Sequence, residues 1–153
     1  MKIKQKAVTT MRMSAEAKSH ARTDISVRDL ASIVDEPPER HGTNKGLTPT
    51  ETLMSSLMGC TNVITSRIAE AMGVKIEDMT IDLKALFDRT GASLQDEIAV
   101  PFPEINMTIA LKTDATAEQM ETIKSDLAKF CPIAKVIRAA GTPINETWEV
   151  SSL

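Results

Sequence analysis

The sequence contains few aromatic residues: three Phe, one Trp and no Tyr in 153 residues. A hydrophobic core must therefore be built from aliphatic side chains and from the nine Met residues, whose flexible thioethers fill irregular spaces. No apolar run approaches the ~18 residues that cross a bilayer, so we expect no membrane association. The length and composition predict one globular domain over residues 1–153.

Positive charge is not in excess, because 18 Lys+Arg against 21 Asp+Glu give a net charge of −3. A nucleic-acid partner is therefore not expected. The charged N-terminal segment has no following apolar segment of a secretory signal, so we predict a cytoplasmic protein. In that reducing compartment the two Cys residues are either buried hydrophobic side chains or redox-active thiols.

Motifs for metal, phosphate and hydrolase chemistry are also missing. Cys60, Cys131, His20 and His41 form no CxxC, HxxxH or HExxH spacing. The stretch 42–46 (GTNKG) has the composition of a phosphate loop but not the order of a Walker A motif, and no GxSxG is present. The sequence therefore calls for neither a metal nor a cofactor.

The N-terminal third predicts strands followed by a long loop. Residues 2–12 and 15–28 are rich in Thr, Val and Ile in loose alternation, which predicts two or three strands ending near Val34. Residues 35–48 collect Pro, Gly, Asp and Asn, which break regular structure. Such a loop is either a mobile connection or part of a binding site.

A capping box marks the first helix. Thr48 supplies the N-cap hydroxyl, Pro49 the first helical residue and Glu51 the returning carboxylate. Aliphatic residues then recur at helical spacing until Gly73, so the helix covers about 49–72. Small residues crowd its middle, and we expect it to be central and buried.

The remainder alternates strands and helices, which gives an α+β fold class. Two alternating segments predict neighbouring antiparallel strands, a second capping box at Thr116 begins a helix, and Pro132 opens a shorter one. The predicted strands are 79–87, 104–112 and 143–150, the helices run from Thr116 to about Lys129 and over 133–140, and 88–103 is a loop.

The two thiols are the remaining candidates for chemistry. Cys131 precedes the short helix, whose free N–H groups and dipole would lower the pKa of its thiol and raise its reactivity. Cys60 lies in the middle of the long helix, where composition alone favours an inert core residue. A separation of 71 residues does not reveal whether the two sulfurs meet.

Several short motifs together resemble the OsmC/Ohr family of osmotically inducible and organic hydroperoxide resistance proteins. The most specific is a Pro-led, small-residue helix that carries one Cys, followed about seventy residues later by Cys-Pro. The segments that carry the resemblance are Asp35-Glu36-Pro37, Gly42-Thr43-Asn44 with Gly46, Thr48-Pro49-Thr50-Glu51-Thr52-Leu53, Gly59-Cys60 and Cys131-Pro132-Ile133.

The resemblance implies a fold and a reaction. The fold would be an intertwined homodimer in which antiparallel sheets wrap around central helices. The reaction would be thiol-dependent reduction of an organic hydroperoxide, with Cys60 as the peroxidatic and Cys131 as the resolving cysteine. An external dithiol would then reduce the resulting disulfide.

The resemblance also implies a cation beside Cys60, held by a glutamate. Arg40 is the best candidate for the cation, and Arg12, Arg22 and Arg28 are alternatives. The family's glutamate follows the helix-opening proline, where this chain has Thr50. On an ideal helix Thr50 lies about 80° around the axis from Cys60, and Glu51 lies about 180° away. Glu51 is therefore either a catalytic residue or only the capping-box carboxylate.

Two other functions remain open at this stage. The chain could be a non-catalytic protein that binds a small apolar or electrophilic ligand, since Thr50 replaces the expected glutamate. Alternatively, both cysteines could be structural core residues without chemistry.

Overall fold

A computed structural model describes residues 7–153, and the chain divides into two compact units, Met1–Leu53 and Met54–Leu153. The described residues form six strands and three helices. In chain order these are β1 (Ser14–Ala17), β2 (Thr23–Val27), β3 (Leu30–Val34), α1 (Pro49–Ala71), β4 (Ile76–Leu86), β5 (Glu104–Thr113), α2 (Ala117–Phe130), α3 (Pro132–Ala139) and β6 (Ile144–Ser152). The predicted α+β class is confirmed.

The first unit contains a small antiparallel sheet with the order β1-β2-β3. The predicted strand 2–12 is wrong over 7–12, which is not a strand, and residues 2–6 lie outside the described residues. The predicted strand 15–28 is interrupted, because the Ser19 hydroxyl accepts hydrogen bonds from the backbone N–H groups of Ala21 and Arg22 and closes a turn. The third strand ends at Val34, as predicted.

The helices lie close to their predicted positions because their ends carry strong capping signals. Around α1, the Thr48 N–H donates to Glu51 and the Glu51 N–H donates to the Thr48 hydroxyl, at 2.8 and 3.2 Å. The capping box of Thr116 and Gln119 begins α2. However, α1 is buried along one face only, rather than all around. A Cβ at Gly59 would meet nothing within 4 Å.

The second unit contains a sheet with the order β4-β5-β6. β4 and β5 are antiparallel, as predicted, but β6 runs parallel to β5. The sheet is therefore mixed rather than antiparallel throughout. Residues 88–103 form the predicted loop without a strand.

The core of the second unit lies between the central strand β5 and the helices. Alternate β5 residues, from Ile105 to Leu111, are 0 to 3% exposed. They share one cluster with Leu57 of α1, Leu127 of α2 and Ile137 of α3. The cluster also contains Cys131, and Cys60 packs against it. The apolar core thus includes both sulfurs.

Candidate active site

The structure brings the two cysteines into contact. The Cys131 thiol donates to Cys60 Sγ, and the two sulfur atoms are 2.9 Å apart. A disulfide bond measures about 2.05 Å, so the pair is in the free thiol state. Sulfurs separated by 71 positions in the sequence are thus neighbours in the fold, and a disulfide could form with a small displacement.

Different elements fix the two sulfurs. Cys60 projects from the middle of α1 and is partly exposed, whereas Cys131 is 0% exposed at the junction of α2 and α3. Cys131 both follows the last residue of α2 and caps α3, where its sulfur accepts a hydrogen bond from the Ala134 N–H at 3.4 Å. Two helix ends therefore orient one sulfur, and a continuous helix carries the other.

The prediction that Cys131 is unusually acidic is wrong. Burial, together with the thiol's hydrogen bond to Cys60, raises the pKa of Cys131 from 9.0 to about 11. The Ala134 N–H at the start of α3 acts in the opposite direction, but loss of hydration outweighs it. Cys131 therefore stays a protonated thiol at neutral pH and serves as the donor of the pair.

This arrangement gives the two sulfurs unequal access. A molecule approaching from solvent can reach the partly exposed Cys60 but not the fully buried Cys131. Cys60 is therefore the more accessible of the two residues, and its sulfur lies in contact with the buried sulfur of Cys131.

A buried carboxylate organises the loop between β3 and α1. Asp35 is 0% exposed, and its two oxygens accept hydrogen bonds from the backbone N–H groups of Glu36, Thr43 and Lys45 and from the Thr43 hydroxyl, at 2.6 to 3.1 Å. These bonds hold the pKa of Asp35 at about 2, with the Thr43 hydroxyl making the largest contribution. The loop is therefore anchored to one side chain at several points along its length.

Close backbone packing adds to this order. A Cβ at Gly42 would lie 1.6 Å from the Glu36 carbonyl oxygen, so only glycine fits there. The Asn44 N–H donates to the same carbonyl oxygen at 3.1 Å, and the Asp35 N–H donates to the Leu47 carbonyl oxygen at 3.0 Å. These hydrogen bonds describe residues 35–48 as an ordered loop rather than a mobile connection. The alternative, that the loop is part of a binding site, stays a prediction.

Within this loop, Arg40 forms an ion pair with Glu36. Arg40 Nε donates to Glu36 Oε2 at 2.5 Å, across a short 3-10 turn over Pro38–Arg40. Sequence reasoning missed Glu36 as a partner for Arg40. The signal was present, since the two residues are four positions apart and opposite in charge.

Glu51 also has a partner within the first unit. Its carboxylate accepts the Thr48 N–H, which completes the capping box, and the Thr50 hydroxyl lies 3.2 Å from the Thr48 hydroxyl. The capping interpretation of Glu51 is therefore confirmed as a local contact. The catalytic roles of Arg40 and Glu51 stay predictions.

The alternative arginines have different surroundings. Arg22 forms a bidentate ion pair with Asp24, at 2.7 and 3.0 Å. Arg28 lies in the turn between β2 and β3 with a positive φ of 55°, and Arg12 is exposed ahead of β1. Of the four candidate cations, Arg40 alone belongs to the loop that Asp35 organises.

Metal binding and membrane insertion are two further possibilities for residues 7–153. No group of three or more His, Cys, Asp or Glu side chains in this range is placed to hold a metal ion. None of the helices in the same range combines the length and the apolar character needed to span a bilayer.

Solved structures share this fold over nearly the whole chain. An OsmC-like protein from Mycoplasma pneumoniae aligns with a TM-score of 0.77 at 14% identity, covering 93% of this chain and 97% of that protein. An organic hydroperoxide resistance protein from Elizabethkingia anophelis aligns with a TM-score of 0.64 at 16% identity, covering 97% and 100%. The organic hydroperoxide resistance protein OhrB of Bacillus subtilis gives 0.57 at 17%, covering 95% and 100%.

At sequence level, no curated protein matches significantly. The profile of the OsmC-like protein family, however, matches residues 42–147, a range that includes both cysteines and most of the chain. The motifs of the chain already resembled those of the OsmC and Ohr proteins, and the fold is shared with them. The chain therefore belongs to the OsmC-like family.

Proposed function

We propose that the protein is a thiol-dependent peroxidase that reduces organic hydroperoxides with Cys60 and Cys131. The observation that carries this proposal is the 2.9 Å contact between a partly exposed and a fully buried sulfur. Family membership and the fold shared with organic hydroperoxide resistance proteins support the choice of substrate.

In the first step, the Cys60 thiolate attacks the O–O bond of the hydroperoxide. The sulfur bonds to the terminal oxygen, which carries the hydrogen, as the O–O bond breaks, and Cys60 becomes a sulfenic acid. The departing alkoxide takes a proton from solvent and leaves as an alcohol. The thiolate is the reactive form of cysteine, and a neighbouring cation favours its attack. We assign Arg40 to this role, which is a proposal from the family resemblance.

In the second step, the Cys131 sulfur attacks the Cys60 sulfenic acid. A disulfide forms and water leaves, so the two electrons given to the peroxide come from the pair of thiols. The contact between the sulfurs means that this step needs little movement. The buried position of Cys131 keeps it protonated until then, and the high pKa protects it from direct oxidation.

In the third step, an external dithiol reduces the disulfide by exchange and is itself oxidised to a disulfide. The cycle therefore requires a compartment in which such dithiols are available, as in the cytosol. The pair needs no cofactor, because the sulfurs carry both electrons.

We further propose that the protein works as a homodimer, as the family resemblance implies. Two observations support this proposal. The described part of the first unit buries no hydrophobic side chain, and a groove of about 800 Å³ lies over its sheet. On α1, Val63 is 44% exposed, and the space beside Gly59 is open. A second copy would cover these surfaces.

Cysteine variants test the assignment of roles. We expect Cys60→Ser to lose turnover of cumene hydroperoxide, because the attacking sulfur is absent. We expect Cys131→Ser to react once and stop, with a sulfenic acid on Cys60 that dimedone traps and mass spectrometry locates. Full activity in Cys60→Ser, or trapping at Cys131 in the unmodified chain, would contradict the mechanism.

A further inference from the structure

A disulfide between Cys60 and Cys131 would offer two sulfurs to an external thiol. In thiol–disulfide exchange, the attacking sulfur bonds to one sulfur of the disulfide and the other sulfur leaves, so access to each sulfur matters. The choice decides which cysteine carries the mixed disulfide with the reductant. The surroundings of the two sulfurs in this fold differ enough to make that choice.

Cys131 is enclosed by the core. It is 0% exposed and shares a cluster of buried residues with Leu127 and Ile137. Its backbone is also fixed, because its N–H donates to the Leu127 carbonyl oxygen at 3.0 Å and its carbonyl oxygen accepts the Lys135 N–H at 3.1 Å. An external thiol could reach this sulfur only after the junction of α2 and α3 has opened, which would break these bonds and expose part of the core.

Cys60 has no comparable barrier. It is partly exposed in the middle of α1, and the preceding residue, Gly59, has open space where a side chain would stand. Val63, less than one turn further along α1, is 44% exposed. A thiol can therefore approach Cys60 while the helix and the core stay intact.

The start of α3 is suited to receive the charge that leaves on Cys131. The Ala134 N–H donates to Cys131 Sγ at 3.4 Å. Burial raises the pKa of the Cys131 thiol, whereas the N–H groups of Ala134 and Ile133 act to lower it. These N–H groups, at the positive end of the helix dipole, would stabilise negative charge on the sulfur while the S–S bond breaks.

We propose that the reducing thiol attacks Cys60 and that Cys131 is the leaving thiol, so that the mixed disulfide forms on Cys60. The proposal rests on the proposed function, in which the two cysteines become linked. The incoming thiolate bonds to Cys60 Sγ, the S–S bond breaks, and its electron pair goes to Cys131, which takes a proton. The second thiolate of the dithiol then attacks the reductant's own sulfur, closes the reductant disulfide and releases Cys60.

A trapping experiment locates the mixed disulfide. The reduced protein is linked internally with diamide, which takes up the two hydrogens of the thiols, so that no reaction with peroxide is needed. Excess glutathione is added, the reaction is stopped at short times with acid, and free thiols are capped with a maleimide. We expect peptides with glutathione on Cys60 and maleimide on Cys131 to exceed the reverse pattern by at least about tenfold, because attack on the buried sulfur waits for local opening.

The dependence of reduction on urea gives a second test that needs no trapped species. The rate at which dithiothreitol reduces the disulfide is measured at urea concentrations below the unfolding transition. Attack on exposed Cys60 predicts a nearly constant rate, whereas attack on buried Cys131 requires opening and predicts a rate that rises steeply with urea.

The outcomes separate this inference from the proposed function. Glutathione found mainly on Cys131, or a reduction rate that rises steeply with urea, would overturn the inference while the proposed function stands. Failure of diamide to link Cys60 and Cys131 would contradict the second step of the proposed function and the inference with it.

Discussion

The described part of the first unit buries polar side chains, Asp35 and Thr48, whereas every buried hydrophobic side chain of residues 7–153 lies in the second unit. A carboxylate with several hydrogen bonds anchors the loop of the first unit. Aliphatic residues around β5 hold the second unit together and surround the thiols. Order in the two units therefore has different sources with different weaknesses. Hydrogen bonds to a charge are sensitive to acid, and a packed core is sensitive to lost volume.

The largest expected effect is on the packed core. Ile109 is 0% exposed at the centre of β5, so Ile109→Ala removes buried methyl groups and leaves a cavity. We expect the free energy of unfolding to fall by about 2–5 kcal/mol. Denaturant titration measures this, with Ile25→Ala in the partly exposed strand β2 as the matched control. An equally large loss in Ile25→Ala would remove the contrast between the units.

The next prediction concerns how acid lowers stability through Asp35 of the first unit. The pKa of Asp35 is lowered from 3.8 to about 2 in the folded chain, so the unfolded state binds its proton more readily. Asp35 therefore stabilises the fold above pH 4, and this contribution disappears as the pH falls from about 4 to about 2. We expect Asp35→Asn to be less stable at neutral pH and to lose less stability on acidification.

Thermal unfolding at a series of pH values measures how steeply the stability of Asp35→Asn and of the unmodified chain falls in acid. Asp29→Asn, in the exposed turn between β2 and β3, removes the same charge without removing the loop anchor. Unchanged acid sensitivity in Asp35→Asn would show that the buried carboxylate does not anchor the loop.

The second unit has the opposite dependence on pH. The pKa of Cys131 is raised from 9.0 to about 11 in the folded chain by burial and by its bond to Cys60, so the unfolded state releases the proton first. This favourable contribution is complete below pH 9 and is lost as the pH rises from 9 to about 11. Cys131→Ala should unfold with less dependence on pH in this window under reducing conditions. If stability depended on pH equally in Cys131→Ala and in the unmodified chain, Cys131 would not be the group with the raised pKa.

The smallest expected effect comes from two threonines on the buried face of α1. The Thr61 hydroxyl donates to the Leu57 carbonyl oxygen at 2.9 Å, whereas the buried Thr65 hydroxyl has no partner among the described residues. Thr65→Val should therefore stabilise the protein by about 1 kcal/mol, because an unsatisfied polar atom is removed from the core. Thr61→Val is the matched control and should bring no gain. Equal changes in both variants would show that hydrogen bonding does not distinguish them.

The helices could be predicted closely from the sequence because local chemistry fixes their ends. The capping boxes at Thr48 and Thr116 and the proline at Pro132 each act within one turn of a helix. The N-terminal strands could not be predicted as closely, because their weak alternation does not define a buried face. In addition, the turn at Ser19 is closed by a side-chain hydroxyl rather than by a recognisable turn sequence. The sequence also does not indicate that β6 runs parallel to β5, since side chains alternate between the two faces of a strand in either direction.

The pairing of the two thiols was predictable from the sequence, but the pKa of Cys131 was not. Motif resemblance pointed to Cys60 and Cys131 as partners, and the fold brings their sulfurs together. The direction of the pKa shift at Cys131 depends on burial by distant parts of the chain, which no local pattern reveals. The spacing of Glu36 and Arg40 in the sequence is compatible with an ion pair, but the orientation of the two side chains depends on the 3-10 turn between them.

In the proposed mechanism, the two sulfurs act as one redox pair toward an organic hydroperoxide. The most direct test treats the reduced protein with one equivalent of cumene hydroperoxide and then measures intact mass, free thiols and linked peptides without reductant. We predict rapid loss of both thiols, a mass lower by two hydrogens and a peptide linked through Cys60 and Cys131. Survival of both thiols would contradict it and would favour a protein that binds a small ligand without catalysis.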